Sequence, residues 1–220
     1  MFAAPPASGD PATSKAGRGT LRLGILLSGR GSNFQAIAAS IREGRLTEVE
    51  IAVVISNVAD AAGLTVAQGL GFSTAVFVSR GRKRGEHDAD VAQCLKSHRV
   101  DLVCLAGYMR LLSPEFIAAF PNRILNIHPS ILPAFPGLDA QHQAFDYGVK
   151  IAGCTVHFVD EDLDHGAIIL QRAIPVLETD DAHTLAARIL VEEHIAYSEA
   201  IARVASGVYE LRGRRYVKRS

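Results

Sequence analysis

From Leu21 onward, apolar runs of strand length alternate with helical stretches of crossover length, and this constrains the fold more than any other feature of the chain. Leu21–Leu27, 49–55 and 101–105 are dense apolar runs, and 33–43, 59–69 and 86–98 read as helices between them. Strands separated by helices of that size require right-handed crossovers, which lay them parallel in a sheet covered on both faces. The expected fold is α/β, a doubly wound, mostly parallel sheet with helices on both faces. After Ile124–His128 the pattern shifts. Residues 151–159 and 167–176 read as two longer strands forming an antiparallel edge toward the C-terminus, and a last long helix covers about 181–206.

Composition excludes several function classes. Lys plus Arg equals Asp plus Glu at 23 each, so no global charge favours nucleic acid or a membrane surface. No apolar run approaches the roughly 20 residues of a membrane helix. Cys94, Cys104 and Cys154 are odd in number, widely spaced and without a C-x-x-C pair, which suits reduced, buried thiols in a cytoplasmic protein. Residues 1–20, rich in Ala, Pro, Gly and Ser, read as a disordered extension with no secretory pattern. Residues 21–207 form one expected domain, and 208–220 a solvated basic tail.

The stretch from Ile124 to Pro133 carries the first chemical signal. It reads as a short buried strand ending in a proline-stiffened loop. Side chains alternate along a strand, so Asn126 and His128 share one face, roughly 6.6 Å apart. An amide that can donate to an oxyanion and an imidazole that can carry a proton then point into the same space. Asp164 follows in the acidic turn 160–166, where a carboxylate beside the imidazole would orient it. The alternatives are a structural histidine, or zinc held by His128, His157 and Asp164. These residues lack H-x-x-x-H and H-E-x-x-H spacing, and no metal is expected.

Three further segments belong with that strand. The first strand ends in Ser28-Gly-Arg-Gly-Ser-Asn33, and a helix follows, so backbone N–H groups of Gly31, Ser32 and Asn33 can approach an anion at the helix N-terminus. A dinucleotide fingerprint needs glycine where Phe34 stands and an acidic residue near Asn57, so a phosphomonoester is the better ligand. A plain strand-to-helix turn capped by Asn33 is the alternative. Gly107-Tyr-Met-Arg-Leu-Leu112 follows a strand of the sheet, at the edge where such folds bind ligands, and its backbone can grip a flat heterocycle or simply cover a pocket. On the last helix, Ala186, Leu190, Glu193, Tyr197, Ala200 and Val204 share one face, which turns Glu193 inward. Its partner is either an arginine or a ligand amine.

On these motifs, together with Leu163-Asp-His-Gly166, the chain resembles the phosphoribosylglycinamide formyltransferases of purine biosynthesis, the folate-dependent single-domain type, from Leu21 to about Gly207. The resemblance implies a Rossmann-like formyltransferase fold and one-carbon transfer from 10-formyltetrahydrofolate as co-substrate to glycinamide ribotide. It implies Asn126, His128 and Asp164 as the catalytic trio, and Gly31, Ser32 and Asn33 at the ribotide phosphate. Glu193 would stand near the glycinamide, and Met109, Arg110, Leu111, Leu112, Asn126 and, in some members, Arg84 would contact the folate. The expected partners are those small molecules, with no nucleic acid or membrane, and the expected state is a monomer or homodimer. Asp139 and Gln141 stand where some members have histidines, whose role therefore does not transfer. Ala167 replaces a frequent proline.

Three rival functions share parts of this pattern. The resemblance implies a regulatory N-terminal domain in a formyltetrahydrofolate deformylase and a C-terminal RNA-binding domain in a methionyl-tRNA formyltransferase. A non-catalytic phosphate-binding module would not need Asn126, His128 and Asp164 together.

Overall fold

The computed structural model describes residues 19–219. Residues 1–18 of the expected N-terminal extension lie outside them. The elements run β1 (Leu21–Leu27), α1 (Ser32–Arg42), β2 (Val49–Ser56), α2 (Ala62–Gly69), β3 (Thr74–Val76), α3 (Arg84–Ser97), β4 (Leu102–Leu105), α4 (Pro114–Ala119), β5 (Ile124–His128), α5 (Ala140–Tyr147), β6 (Ile151–Phe158), β7 (Ile168–Pro175), α6 (Ala182–Ser206), β8 (Tyr209–Arg212) and β9 (Arg215–Lys218). They build one nine-stranded sheet in the order β3-β2-β1-β4-β5-β6-β7-β9-β8. The strands from β3 to β5 are parallel, whereas β6 runs antiparallel to both β5 and β7. This is the expected doubly wound sheet with an antiparallel C-terminal portion.

Alternation along the strands feeds a separate core on each face. Leu23, Ile25 and Leu27 pack with Phe34 and Ile37 of α1, Leu64 of α2, and Leu185, Ile189 and Tyr197 of α6. Leu26, Val53, Ile55, Val103 and Ile124 pack with Val91 and Leu95 of α3 and Phe116 of α4. Each fully buried Leu or Ile contributes about 1.5–3 kcal/mol relative to an exposed one. Gly24 lets α3 lie close against β1, because a Cβ there would sit 2.3 Å from Leu95 Cδ2.

Several elements depart from the sequence expectation. β3 has three residues and α4 six, too short for periodicity to reveal. The Ser113-Pro114 start of α4 was nonetheless a usable sign: Ser113 Oγ accepts the Phe116 N–H at 3.2 Å, and Pro114 occupies the first helical position. α5 begins at Asp139 in a left-handed conformation without a side-chain cap, so it carries no start signal. The segment expected as a solvated basic tail is instead the β8–β9 hairpin. Arg212, Arg215 and Lys218 are exposed, while Tyr209 stacks on Tyr216 at 5.4 Å and Tyr216 meets Phe158 edge-on at 5.3 Å. Reading the charges concealed that aromatic alternation.

Strand order fixes where a ligand can go. The chain moves outward from β1 to β2 and β3, then returns to place β4 on the other side of β1. The crevice beyond the C-terminal ends of β1 and β4 is a topological switch point, the usual ligand position in an open α/β sheet.

Candidate active site

Three segments meet at that crevice. At the end of β1, Gly31 takes a left-handed conformation (φ 70°) ahead of α1. A side chain there would also be within 3.1 Å of Gly63 Cα, so both backbone shape and close approach of α2 require glycine. Gln35 N–H donates to Gly31 O at 2.9 Å, the first bond of the helix, which leaves the preceding first-turn N–H groups without helical acceptors. Those are the groups of Ser32, Asn33 and Phe34.

Asn33 and Glu193 come together although 160 residues separate them. Asn33 Nδ2 donates to Glu193 Oε2 at 2.8 Å, and both side chains are buried. The inward turn expected for Glu193 is therefore present, and its protein partner is an amide instead of an arginine. Burial pushes the Glu193 carboxyl above its ordinary range, and the Asn33 hydrogen bond offsets part of that shift. Asn33 Oδ1 is buried and meets no donor among the described residues. One turn along α6, the buried Tyr197 hydroxyl lies 3.1 Å from both the Leu105 and the Leu125 carbonyls, tying the helix to β4 and β5.

Asn126, His128 and Asp164 converge as expected. His128 Nδ1 lies 3.3 Å from Asp164 Oδ2, and His128 Nε2 lies 2.8 Å from the Phe135 carbonyl. Both ring nitrogens thus face oxygen acceptors. Asp164 has a left-handed backbone (φ 50°), and its Oδ2 also accepts the Gly137 N–H at 2.8 Å. The acidic turn is thereby drawn onto the loop that follows His128.

His157, considered from sequence only as a metal ligand, supports Asn126. The two are paired across β5 and β6, and Asn126 Nδ2 lies 3.3 Å from His157 Nε2. His157 Nδ1 donates to the Phe158 carbonyl at 2.8 Å, so Nε2 is the acceptor in the neutral ring. Burial lowers the His157 pKa, which keeps the ring in that neutral form. One amide hydrogen of Asn126 is then committed to His157, and the amide has a second to offer. Thr155, paired with His128, donates to Ser130 O at 2.7 Å and accepts from Leu132 N at 3.0 Å, bracing the loop beyond the strand. The period-two rule that linked Asn126 with His128 also links Thr155 with His157. What the sequence lacked was the β5–β6 register. Among the described residues, no group of three or more His, Cys, Asp and Glu side chains is arranged to hold a metal ion.

The segment after β4 forms the third wall. Met109 and Leu111 are 67% and 54% exposed, while the Arg110 side chain turns inward, its Nε 3.9 Å from Asp88. Met109 N–H donates to Ser28 Oγ at 2.8 Å, joining this wall to the end of β1. Arg84 opens α3 and is exposed. It stands one turn before Asp88 on α3. Asp139 and Gln141 lie at the start of α5.

Comparison with known proteins agrees with this geometry. The formyl transferase family model matches residues 21–201. The chain is 38% identical to phosphoribosylglycinamide formyltransferase of Escherichia coli over 184 residues, covering 83% of this chain and 86% of that protein. It is 45% identical to the human trifunctional purine biosynthetic protein adenosine-3 over 191 residues, which is 86% of this chain but 19% of that relative's length. The crystal structure of glycinamide ribonucleotide transformylase 1 from Symbiobacterium toebii superposes with a TM-score of 0.88 at 50% identity, covering 95% of this chain and 99% of that one. The chain belongs to the formyl transferase family.

Proposed function

We propose that this chain transfers the formyl group of 10-formyltetrahydrofolate to the glycinamide amine of phosphoribosylglycinamide, a step of purine biosynthesis. The observation that carries the reading is that His128 and His157 both lie beside one carboxylate, Asp164, while His157 also meets the Asn126 amide. The names of the E. coli and S. toebii relatives support formyl transfer to the glycinamide ribotide.

The folate supplies an acyl carbon attached to a nitrogen leaving group. Asn126 donates its second amide hydrogen to the formyl oxygen, where negative charge gathers as the amine attacks. His157 holds that amide so the donor is aimed before the reaction starts. His128, oriented by Asp164, passes the proton that the attacking amine loses to the folate nitrogen, so the bond from the formyl carbon to that nitrogen breaks and tetrahydrofolate leaves as a neutral amine. The imidazole reaches the reacting atoms by exchanging the Phe135 carbonyl for a substrate atom. The first-turn N–H groups of α1 hold the ribotide phosphate. Glu193 and the Asn33 Oδ1 acceptor receive the amine-bearing arm. Met109, Leu111 and the backbone of 109–112 cover the folate heterocycle, with Arg84 beside them. Holding two substrates in one cleft supplies as much as about 7–11 kcal/mol of the acceleration.

Incubating the protein with 10-formyltetrahydrofolate, with and without glycinamide ribotide, tests the reading. Formyl-ribotide should accumulate only when both are present. Formate release at the same rate without ribotide would show that water is the acceptor and would overturn the proposal.

A further inference from the structure

Asp88 on α3 is 1% exposed and takes no part in the chemistry above. A carboxylate so deeply buried requires partners around it, and two of them belong to one loop, a hydrogen bond from Ser113 and a longer ion pair with Arg110. Its Oδ2 accepts the Ser113 N–H at 2.7 Å, and its Oδ1 lies 3.9 Å from Arg110 Nε. Oδ1 also lies 3.0 Å from Nδ1 of the fully buried His87, whose Nε2 reaches the Phe77 carbonyl at 2.8 Å. Three segments that are distant in sequence, the end of β3, α3 and the loop after β4, are thereby joined at one carboxylate.

The loop is fastened at its other end as well. Ser28 N–H donates to Gly107 O at 3.0 Å, and Ser28 Oγ accepts the Met109 N–H at 2.8 Å. Between the two fastenings, Met109 and Leu111 stay exposed instead of folding onto the core. Large apolar side chains held out on a pinned loop form a surface shaped before its ligand arrives, and such preorganisation lowers the cost of binding. Burial, and after it the charge on Asp88, pushes the Tyr108 phenol above its ordinary range, so the carboxylate acts on the interior of the loop too.

We propose that Asp88 is a positioning residue for the folate: by fixing Ser113 and Arg110 it holds 109–112 in the shape that receives the heterocycle. This rests on the reading of that loop as the folate wall. A structural role in the fold at large would instead disturb both substrates alike.

Steady-state kinetics with each substrate varied in turn decides the matter, with Leu111→Asp as the reference for the loop itself. Losing a charged acceptor is worth roughly tenfold or more in an equilibrium constant. Asp88→Ala is therefore expected to raise the folate KM by about that factor, with ribotide KM and kcat at saturating folate within about twofold of wild type. Asp88→Asn keeps an acceptor for Ser113 and should raise the folate KM by only about threefold. If the alanine variant does not fold, the asparagine variant carries the test with the same split between substrates. A folate KM raised by Leu111→Asp but unchanged in the Asp88 variants overturns this inference alone, as does an equal rise in both KM values. A folate KM indifferent to Leu111→Asp overturns the loop assignment and the inference with it.

Discussion

Asn33 at the start of α1 and Glu193 in the middle of α6 share a hydrogen bond of 2.8 Å inside the protein. The bond connects the turn after β1 to the helix that carries the inward carboxylate. One wall of the crevice is thus a single unit, although its two halves lie near opposite ends of the chain.

Replacing Glu193 separates stability from function. Its carboxyl is held above the ordinary range because burial penalises the charged form. Between its usual value of 4.5 and its raised native value, the native state binds more protons than the unfolded state, so its contribution to stability falls as pH rises. Glu193→Gln keeps the shape without the charge. It should unfold at a higher temperature than wild type at pH 7 but not at pH 4, as read by calorimetry, while its ribotide KM rises and its folate KM does not.

Asn126→Ala should lower kcat by about 10²–10³-fold, the usual cost of one oxyanion donor, with both KM values little changed. His157 acts behind it, and its depressed pKa has a definite sign. The native state disfavours imidazolium, so stability is full above 6.5 and declines as pH falls toward the lowered native value. Chemical denaturation of wild type and His157→Gln at a series of pH values should show a steeper decline in wild type, since the variant keeps His194, whose pKa burial also lowers. The variant should also lose part of its kcat.

Gly166 closes the turn that carries Asp164. A Cβ at this position would sit 1.8 Å from the Phe158 carbonyl, a rigid backbone atom. Gly166→Ala must therefore displace either β6 or the turn, at a cost of about 1–3 kcal/mol or more. Urea unfolding should show a lower midpoint, and kcat should fall further than folate affinity because Asp164 leaves His128.

Tyr197→Phe removes one oxygen between the Leu105 and Leu125 carbonyls. Leaving these buried acceptors without the phenol should cost about 1–3 kcal/mol in denaturant titrations. Because the hydroxyl ties α6 to β4, which precedes residues 107–113, and to β5, which carries Asn126, the variant should also lose activity at temperatures where it remains folded.

The layers of the fold were legible because β1, β2 and β4 are long or dense apolar runs punctuated by helical periodicity. β3 and α4 were not, since three or six residues carry no period. At the site, the alternation of Asn126 and His128 and the helical spacing of Glu193 gave correct orientations, since both depend only on local geometry. Their partners did not follow. His157 depends on an antiparallel register, and the Asn33–Glu193 contact spans 160 residues. Arg110 illustrates the same limit: the resemblance placed it among the folate contacts, yet a buried aspartate on α3 draws the side chain inward.

The sheet is open, and its two outermost strands differ in how they are guarded. β3 offers only three residues of backbone, too few to template a neighbour. At the opposite side, the C-terminal hairpin covers the flank of β7 through the Ile168–Arg215 pairing. Its outer strand, β8, presents Glu210 and Arg212, charges that discourage another strand from docking. The arginine-rich hairpin thus has a use apart from the crevice: it ends a nine-stranded sheet that could otherwise keep growing from molecule to molecule.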